Sequence, residues 1–507
     1  MSTKPTALVI GAGVGGLAVA NILAKSGYTV TVYEQNAQAG GRMGLLRKKG
    51  FTFDTGPSWY LMKDVFEHYF SLFGKKTTDY YQLARLDPAY KVFFENDEPI
   101  IIRGDYDSNL ATFESREAGA ARQLEAYLNR GHHNYVAALQ YFLYNPFKKA
   151  SSFANLQIVA AAPSFARLFT GSLHNYVAQH LKRQELQQIL EYPSVFLGAS
   201  PFNTPALYQL MSYLDFKEGV FYPKRDGMYA VVLALKALGR ELGVKYCYNH
   251  PVSKIVTSDG RASGIMCKGS LVKADVIISN ADLPFTETKL LPVNDQTYPK
   301  SYWSKRQPGP SALLLYLGVK GDLPELEHHN LFFVDQWKQN FEDIYNKKTW
   351  PNKASMYVSK TTATDPSTAP KGHQNIFVLV PLPASDVPDS VDVDARVDHY
   401  LQQLEVMANI PDLRQRIVVK EVRTPNYFGD HFNAWHNTAL GLSHTLRQTA
   451  FLRPSVKSKK LSNLYYVGAG SQPGIGVPMC LISAELVYKY IVNDWSAGPI
   501  TAIREAV

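Results

Sequence analysis

The 507-residue chain has only three cysteines, Cys247, Cys267 and Cys480, and no two of them stand close together. That spacing offers no Cys-x-x-Cys and no zinc set, and it suits a reducing cytoplasm better than a disulfide framework. No apolar stretch reaches the roughly 18 uncharged residues that a spanning helix needs. The His-Glu-x-x-His of zinc proteases is missing, and so is the Gly-x-Ser-x-Gly of serine hydrolases. There is no nucleic-acid-binding motif, no internal repeat and no low-complexity tract. His431, His436 and His444 fall near one another without ligand spacing, and the adjacent pairs His132-His133 and His328-His329 are expected to point apart. No metal and no nucleic acid are therefore expected. A secretory leader is not expected either, because glycines and Asn21 interrupt the first apolar run and Glu34 follows without a cleavage-like site. The length exceeds what one core usually holds, so two or three domains are expected.

What is present begins at Thr6. Ala7 to Ile10 is short and apolar, as in a buried parallel strand, and Gly11, Gly13 and Gly16 follow as Gly-x-Gly-x-x-Gly. The first glycine permits a tight turn, the second a close approach of backbone to pyrophosphate, and the third close packing of helix on strand. The unpaired N–H groups of the helix start suit a phosphate. Tyr28 to Tyr33 reads as the second strand, and Glu34 ends it where a carboxylate can accept bonds from ribose hydroxyls. The whole stretch predicts an α/β dinucleotide-binding unit.

Ala39-Gly40-Gly41-Arg42 and then Gly50 to Ser58 (GFTFDTGPS) come next. Arg42 after paired glycines suits a phosphate or the flavin side of a cofactor. This run resembles the flavoproteins that include amine oxidases and carotenoid desaturases, and the resemblance implies FAD. Asp64 to Gly74 reads as a helix, and Tyr90–Glu95 with Pro99–Arg103 as a hairpin. From about Asp105 to Phe216 strand signals vanish and helical spacing takes over, broken by prolines. Between Ala120 and Gln184 stand seven basic residues (Arg122, Arg130, Lys148, Lys149, Arg167, Lys182, Arg183) against one acid, Glu125, in a chain of net charge +9. They interleave with Tyr141, Phe142, Tyr144, Phe147, Phe153, Phe165 and Phe169. Rings beside cations suit an interfacial membrane anchor, and they equally suit a helical domain with an aromatic core and a solvated charged face; a lipid substrate favours the first.

Consecutive strands are predicted from Val244 to Ser279, running into Asn280-Ala281-Asp282, with further strands at Ser311–Val319, Leu331–Val334, Ser355–Ser359 and Asn375–Val380. A helix is predicted over Arg396–Ala408. Near the C-terminus, strand Leu464–Val467, the loop Gly468 to Met479 and a helix over Ser483–Val492 form a second glycine-rich element. A helix start there could stabilise negative charge on a reduced flavin.

Taken together these pieces resemble the bacterial-type phytoene desaturases along nearly the whole chain. The more specific matches are Asp54-Thr-Gly-Pro-Ser58, Leu197 to Phe202, Gly219 to Lys224, Tyr357 to Gly372 (YVSKTTATDPSTAPKG) and Val467 to Pro478. Where that family usually has paired glycines, this chain has Lys224-Arg225-Asp226-Gly227; Ser471-Gln472 stands where many relatives have Thr-His. The resemblance implies a flavin amine oxidase/glutathione-reductase type of Rossmann-like FAD domain, a mixed-sheet substrate domain and an inserted helical domain. The boundaries expected are FAD-binding segments 1–104, 217–282 and 421–507, a helical segment 105–216 and a substrate segment 283–420. The expected cofactor residues are Gly11, Gly13, Val14, Gly15, Gly16, Glu34, Gln35, Gly41, Arg42, Gly56, Pro57, Ser58, Val252, Asn280, Ala281, Gly468, Ala469, Gly470, Gly476, Val477 and Pro478. The implied reaction is FAD-dependent desaturation of phytoene or a similar acyclic carotene, with oxygen or a quinone as final acceptor. The expected location is cytoplasmic and peripheral to a membrane. No general base is assigned; Asp365 is either near substrate or a turn cap. A polyene isomerase, a saturase, a non-catalytic isoprenoid carrier and an amine oxidase are the competing readings.

Overall fold

A computed structural model describes residues 4–148 and 171–505. Two sheets carry the architecture. The first is parallel, in the order Leu464–Tyr466, Val276–Ser279, Thr6–Ile10, Thr29–Tyr33, Lys245–Cys247. Three distant parts of the chain meet in it. Helix Val14–Lys25 is buried from Val14 to Leu23 and packs against helices Val477–Ile491 and Tyr229–Glu241. Its sequence, apolar all round, is what an interior helix requires.

The second sheet has seven strands, in the order Ile417–Arg423, Ser311–Lys320, His373–Leu382, Met356–Lys360, His329–Phe333, Tyr90–Phe94, Ile100–Ile102. It is mixed: Tyr90–Phe94 runs parallel to His329–Phe333 while the other pairs are antiparallel. Strand Ser311–Lys320 divides its side chains between two cores. Ala312, Leu314 and Tyr316 face the body that holds the parallel sheet, and Leu313, Leu315, Leu317 and Val319 pack with helix Val393–Ala408. Burial on both faces explains its unbroken apolar run.

Several sequence expectations are corrected here. The hairpin Tyr90–Ile102, expected among the first FAD-binding residues, joins the second sheet instead. Its alternating pattern identified a strand but not its partner. The last helix begins at Val477, six residues before the expected Ser483. Pro478 occupies the first turn, where its missing N–H costs nothing. The rings of His328 and His329 do not point apart; their centroids are 4.4 Å from each other, and those of His132 and His133 are 5.9 Å apart. Asp365 caps a turn, accepting from the Ser367 N–H at 3.0 Å and its hydroxyl at 2.6 Å. Within the basic block, residues 149–170 lie outside the described residues, and with them Lys149, Arg167, Phe153, Phe165 and Phe169. Arg183 pairs with Glu185, just outside that block, and with Asp97, in the loop of the hairpin Tyr90–Ile102.

The turn at Lys224–Gly227 places Asp226 and Gly227 both in the left-handed region, at φ of 60° and 55°. The carboxylate of Asp54 lies against this turn. Its Oδ2 accepts from the Tyr222 hydroxyl at 2.6 Å and the Met228 N–H at 3.1 Å, and its Oδ1 has no hydrogen-bond partner among the described residues. Burial pushes its pKa up to about 6, and that of Asp215, bonded to Tyr192, up to about 7. A raised folded-state pKa means that the native protein keeps protons which the unfolded chain has released above about pH 4. Stability therefore falls as pH rises from about 4 through 6 and 7, by on the order of 3 kcal/mol for Asp54 alone. Urea unfolding between pH 4 and 7 should give a flatter profile for Asp54→Asn than for the wild type; identical slopes would refute this assignment.

Candidate active site

One cavity of about 570 Å³ runs from the parallel sheet to the mixed sheet. All the expected cofactor residues line it except Gly16 and Gly470. Gly16 lies in the helix behind it, and Gly470 lines a small neighbouring pocket. Gly13 is the N-cap of helix Val14–Lys25 and offers no side-chain cap, so the first N–H groups of that helix open on the cavity. Asn280, carried by the end of strand Val276–Ser279, knits the three parts of the chain together. A Cβ on Gly13 would fall 2.6 Å from its Nδ2, and one on Gly15 or Gly468 would fall 2.8 Å from its Oδ1.

Glu34 is buried, and its carboxylate accepts from the N–H groups of Ala12 at 2.7 Å and Asn36 at 2.8 Å. Gln35 donates to the His431 carbonyl at 2.8 Å and accepts from Asn433 at 3.1 Å, tying this end of the cavity to residues 431–433. Arg42 donates to the Thr438 carbonyl at 3.3 Å and lies 5.6 Å from the Phe432 ring centre. Its Nε is buried without a hydrogen-bond partner among the described residues, and Asp282 is the nearby counter-charge. Burial pushes Asp282 up to about 6 although Arg42 pulls it down. A carboxylate, an incompletely bonded guanidinium and a glycine-lined helix start fit a phosphate- and ribose-bearing cofactor such as FAD.

Beyond Arg42 the lining changes to Trp59, Phe142, Tyr192, Phe196, Phe333, Trp337, Phe341, Tyr345 and Tyr357, with aliphatic residues between. Aromatic residues from both the helical segment and the mixed sheet converge here. This wall demands an apolar ligand.

Two functional positions had no signal in the sequence. His444 was one of a trio without ligand spacing. It lines the cavity, and its Nε2 accepts from the Ile475 N–H at 3.2 Å, so the proton sits on Nδ1, 2.7 Å from the Tyr208 hydroxyl. Burial holds it neutral, well below the usual histidine range. Arg453 is likewise buried and binds backbone carbonyls of the closing glycine loop. Both anchor residues 469–475 from elsewhere in the chain, a contact that no local pattern announces. Among the described residues there is no helix long and apolar enough to cross a membrane and no group of metal-ligating side chains.

The geometry agrees with known proteins. A carotenoid 3,4-desaturase of Haloarcula japonica is 42% identical over 494 residues, covering 96% of this chain and 98% of that protein. A zeta-carotene-forming phytoene desaturase of Myxococcus xanthus is 34% identical over 96% of this chain and 93% of its own. Among solved structures, putrescine oxidase bound to putrescine superposes with a TM-score of 0.62 at 15% identity, covering 97% of this chain and 99% of that one. The flavin containing amine oxidoreductase family matches residues 14–487, the span that contains helix Val14–Lys25, Arg42 and the closing loop, and the chain belongs to that family.

Proposed function

We propose that this protein is an FAD-dependent oxidoreductase that desaturates an acyclic carotenoid, removing two hydrogens from adjacent carbons and lengthening the conjugated polyene. The observation that carries this reading is the continuity of the cavity, whose nucleotide-fitting end runs into an aromatic and aliphatic channel. Bound FAD would supply the two-electron acceptor for a hydride. The chain's own task is to hold a long apolar molecule with one bond over the reacting ring and to exclude water. Its charged lining groups Glu34, Arg42 and Asp282 gather at the nucleotide end. The cofactor residues proposed are the cavity-lining glycines with Glu34, Gln35, Arg42, Asn280 and the loop 468–478, and the domain division proposed is the one expected from sequence, except that the hairpin Tyr90–Ile102 goes with the substrate sheet. Oxygen or a quinone is the proposed terminal acceptor.

The relative at 42% identity favours a second reading, in which the bond oxidised is the 3,4 bond of a carotenoid; an acyclic carotenoid already conjugated is the substrate we propose for it. The test is incubation with FAD and liposomes carrying either phytoene or a fully conjugated acyclic carotene, followed by extraction and a visible spectrum. New longer-wavelength bands from phytoene support phytoene desaturation. Bands that lengthen only with the conjugated substrate support the second reading. Bound flavin without any gain in conjugation points to isomerase or saturase chemistry, and failure to take up flavin points to a carrier. Membrane contact through the basic block 120–184 is also proposed. Reversing the charge of Lys148, Lys182 and Arg183 should reduce sedimentation with anionic liposomes several-fold, and unchanged sedimentation would count against it.

A further inference from the structure

Helix Ala120–Ala137 continues through a wider turn, Ala138–Leu143, and then stops. Phe142, Leu143, Asn145 and Phe147 at this end line the cavity, and the next residue, Lys148, is exposed. Beside them Thr449 also lines the cavity. Phe451, two residues on, is 46% exposed, and its ring centre lies 5.6 Å from that of Phe147. The cavity wall therefore reaches the surface at Phe147 and residues 449–451.

The last carbonyls of a helix have no partner inside it. Here the C-terminal helix Val477–Ile491 supplies them from across the fold. Lys489 is fully buried, and its ammonium donates to the carbonyls of Tyr144 at 2.9 Å, Ser496 at 2.9 Å and Gly498. All of its N–H donors are thereby used. The Tyr490 hydroxyl donates to the Pro146 carbonyl at 3.1 Å. Asn145 completes the stop. Its side chain donates to the Tyr141 carbonyl at 3.0 Å and accepts from the Phe147 N–H at 2.9 Å, with Phe147 left-handed at φ of 49°. The chain's C-terminal tail has holds of its own. Glu485 accepts from the Ile500 N–H at 2.5 Å, and the Tyr488 hydroxyl donates to the Arg504 carbonyl at 3.1 Å and accepts from its N–H at 2.7 Å.

We propose that the carotenoid enters the cavity at this rim, and that Lys489 is the positioning residue that holds the rim in its open form. The proposal rests on the carotenoid reading above. Without the ammonium, the Tyr144 carbonyl is left unmet in a dry interior, and the segment must shift to reach a donor. The cation that opposes the negative helix end is lost as well. Phe142, Leu143 and Phe147 then move within the channel they line. A channel that is open for only a fraction of the time binds its ligand more weakly by that fraction. The reaction of a molecule already bound is untouched. Lys489 is twelve residues along the helix from Val477 at the nucleotide end, about 18 Å away.

Two measurements test this with flavin-loaded protein and phosphatidylcholine liposomes carrying a fully conjugated acyclic carotene. Trp59 and Trp337 stand in the channel wall, so quenching of tryptophan fluorescence reads uptake without any turnover. Lys489→Met should weaken carotene binding and raise KM by about tenfold, while flavin content and the rate of flavin bleaching at saturation stay within about twofold of wild type. Tyr490→Phe, which loses only the Pro146 bond, should shift both in the same direction by less, and keeps the test open if Lys489→Met does not fold. Tyr488→Phe loosens the tail alone and should leave both unchanged. Second, Phe451→Cys labelled with a bulky thiosulfonate should take up carotene at least about tenfold more slowly, and reductant that removes the label should restore the rate. Unchanged affinity in both Lys489→Met and Tyr490→Phe, an equal loss in Tyr488→Phe, or uptake indifferent to the label overturns the proposal. Absence of quenching in wild type would instead sink the carotenoid reading, and the entrance with it.

Discussion

Gly16→Ala is expected to yield a protein that holds almost no flavin and unfolds earlier. A Cβ at this position would lie 2.1 Å from the Gly11 carbonyl oxygen and 3.1 Å from the Asn280 Cβ, both on the elements that frame the cavity. No rotamer relieves a clash between a Cβ and backbone. Helix Val14–Lys25 must move away from strand Thr6–Ile10, and its buried face against helix Val477–Ile491 is disturbed. Overpacking of this kind costs about 1–3 kcal/mol. The effect on flavin should be larger than the effect on stability, because the N–H groups at the helix start move with the helix. Gly27→Ala is the control. Gly27 is left-handed, at φ of 101°, but has open space around it, so alanine there costs about 1–2 kcal/mol of backbone strain without touching the cavity. Equal flavin absorbance in both variants would show that the close approach at Gly16 is not what builds the site.

That contrast also shows what sequence could and could not reveal. The glycine spacing, Glu34 and the strand and helix periods are local, so Thr6–Ile10 and Ser311–Lys320 were legible within a residue or two, and the helix after the glycines was legible as an element. Pro478 misled because proline is tolerated in the first turn of a helix as readily as in a loop. The hairpin Tyr90–Ile102 had the right period but its neighbour is more than two hundred residues away, at His329–Phe333. The expected cofactor residues came from motif positions, and nearly all of them share the cavity wall. The aromatic wall was not legible, because Trp59, Tyr192, Trp337 and Tyr357 are brought together only by the packing of the helical segment on the mixed sheet. The same holds for the His328–His329 pair, whose rings meet because Trp59 covers one of them and Tyr222 flanks the other.

Arg453→Met should destabilise the protein by on the order of 3 kcal/mol or more and should release flavin before the rest of the chain unfolds. Arg453 is buried, and its guanidinium reaches four carbonyls: Leu442 at 3.1 Å, Gln448 at 3.2 Å, Ala469 at 2.8 Å and Ser471 at 3.4 Å. Burial lowers its pKa to about 10, which leaves it charged at neutral pH. Two of those carbonyls belong to the glycine loop that follows strand Leu464–Tyr466, and two belong to residues 442–448 beside His444. The guanidinium therefore ties the loop to the histidine that receives the Ile475 N–H. Methionine fills much of the volume but leaves these acceptors in a dry interior, where each unmet one costs about 1–3 kcal/mol. Arg453→Lys separates charge from geometry. A lysine keeps the cation but cannot span four carbonyls with a planar fork, so it should recover only part of the loss. Flavin fluorescence and far-UV circular dichroism followed together on heating would read the difference. In wild type the two transitions should coincide, and in Arg453→Met flavin release should come first. Coincident transitions in the variant would mean that the loop is held by its own backbone, and that Arg453 contributes to global stability alone.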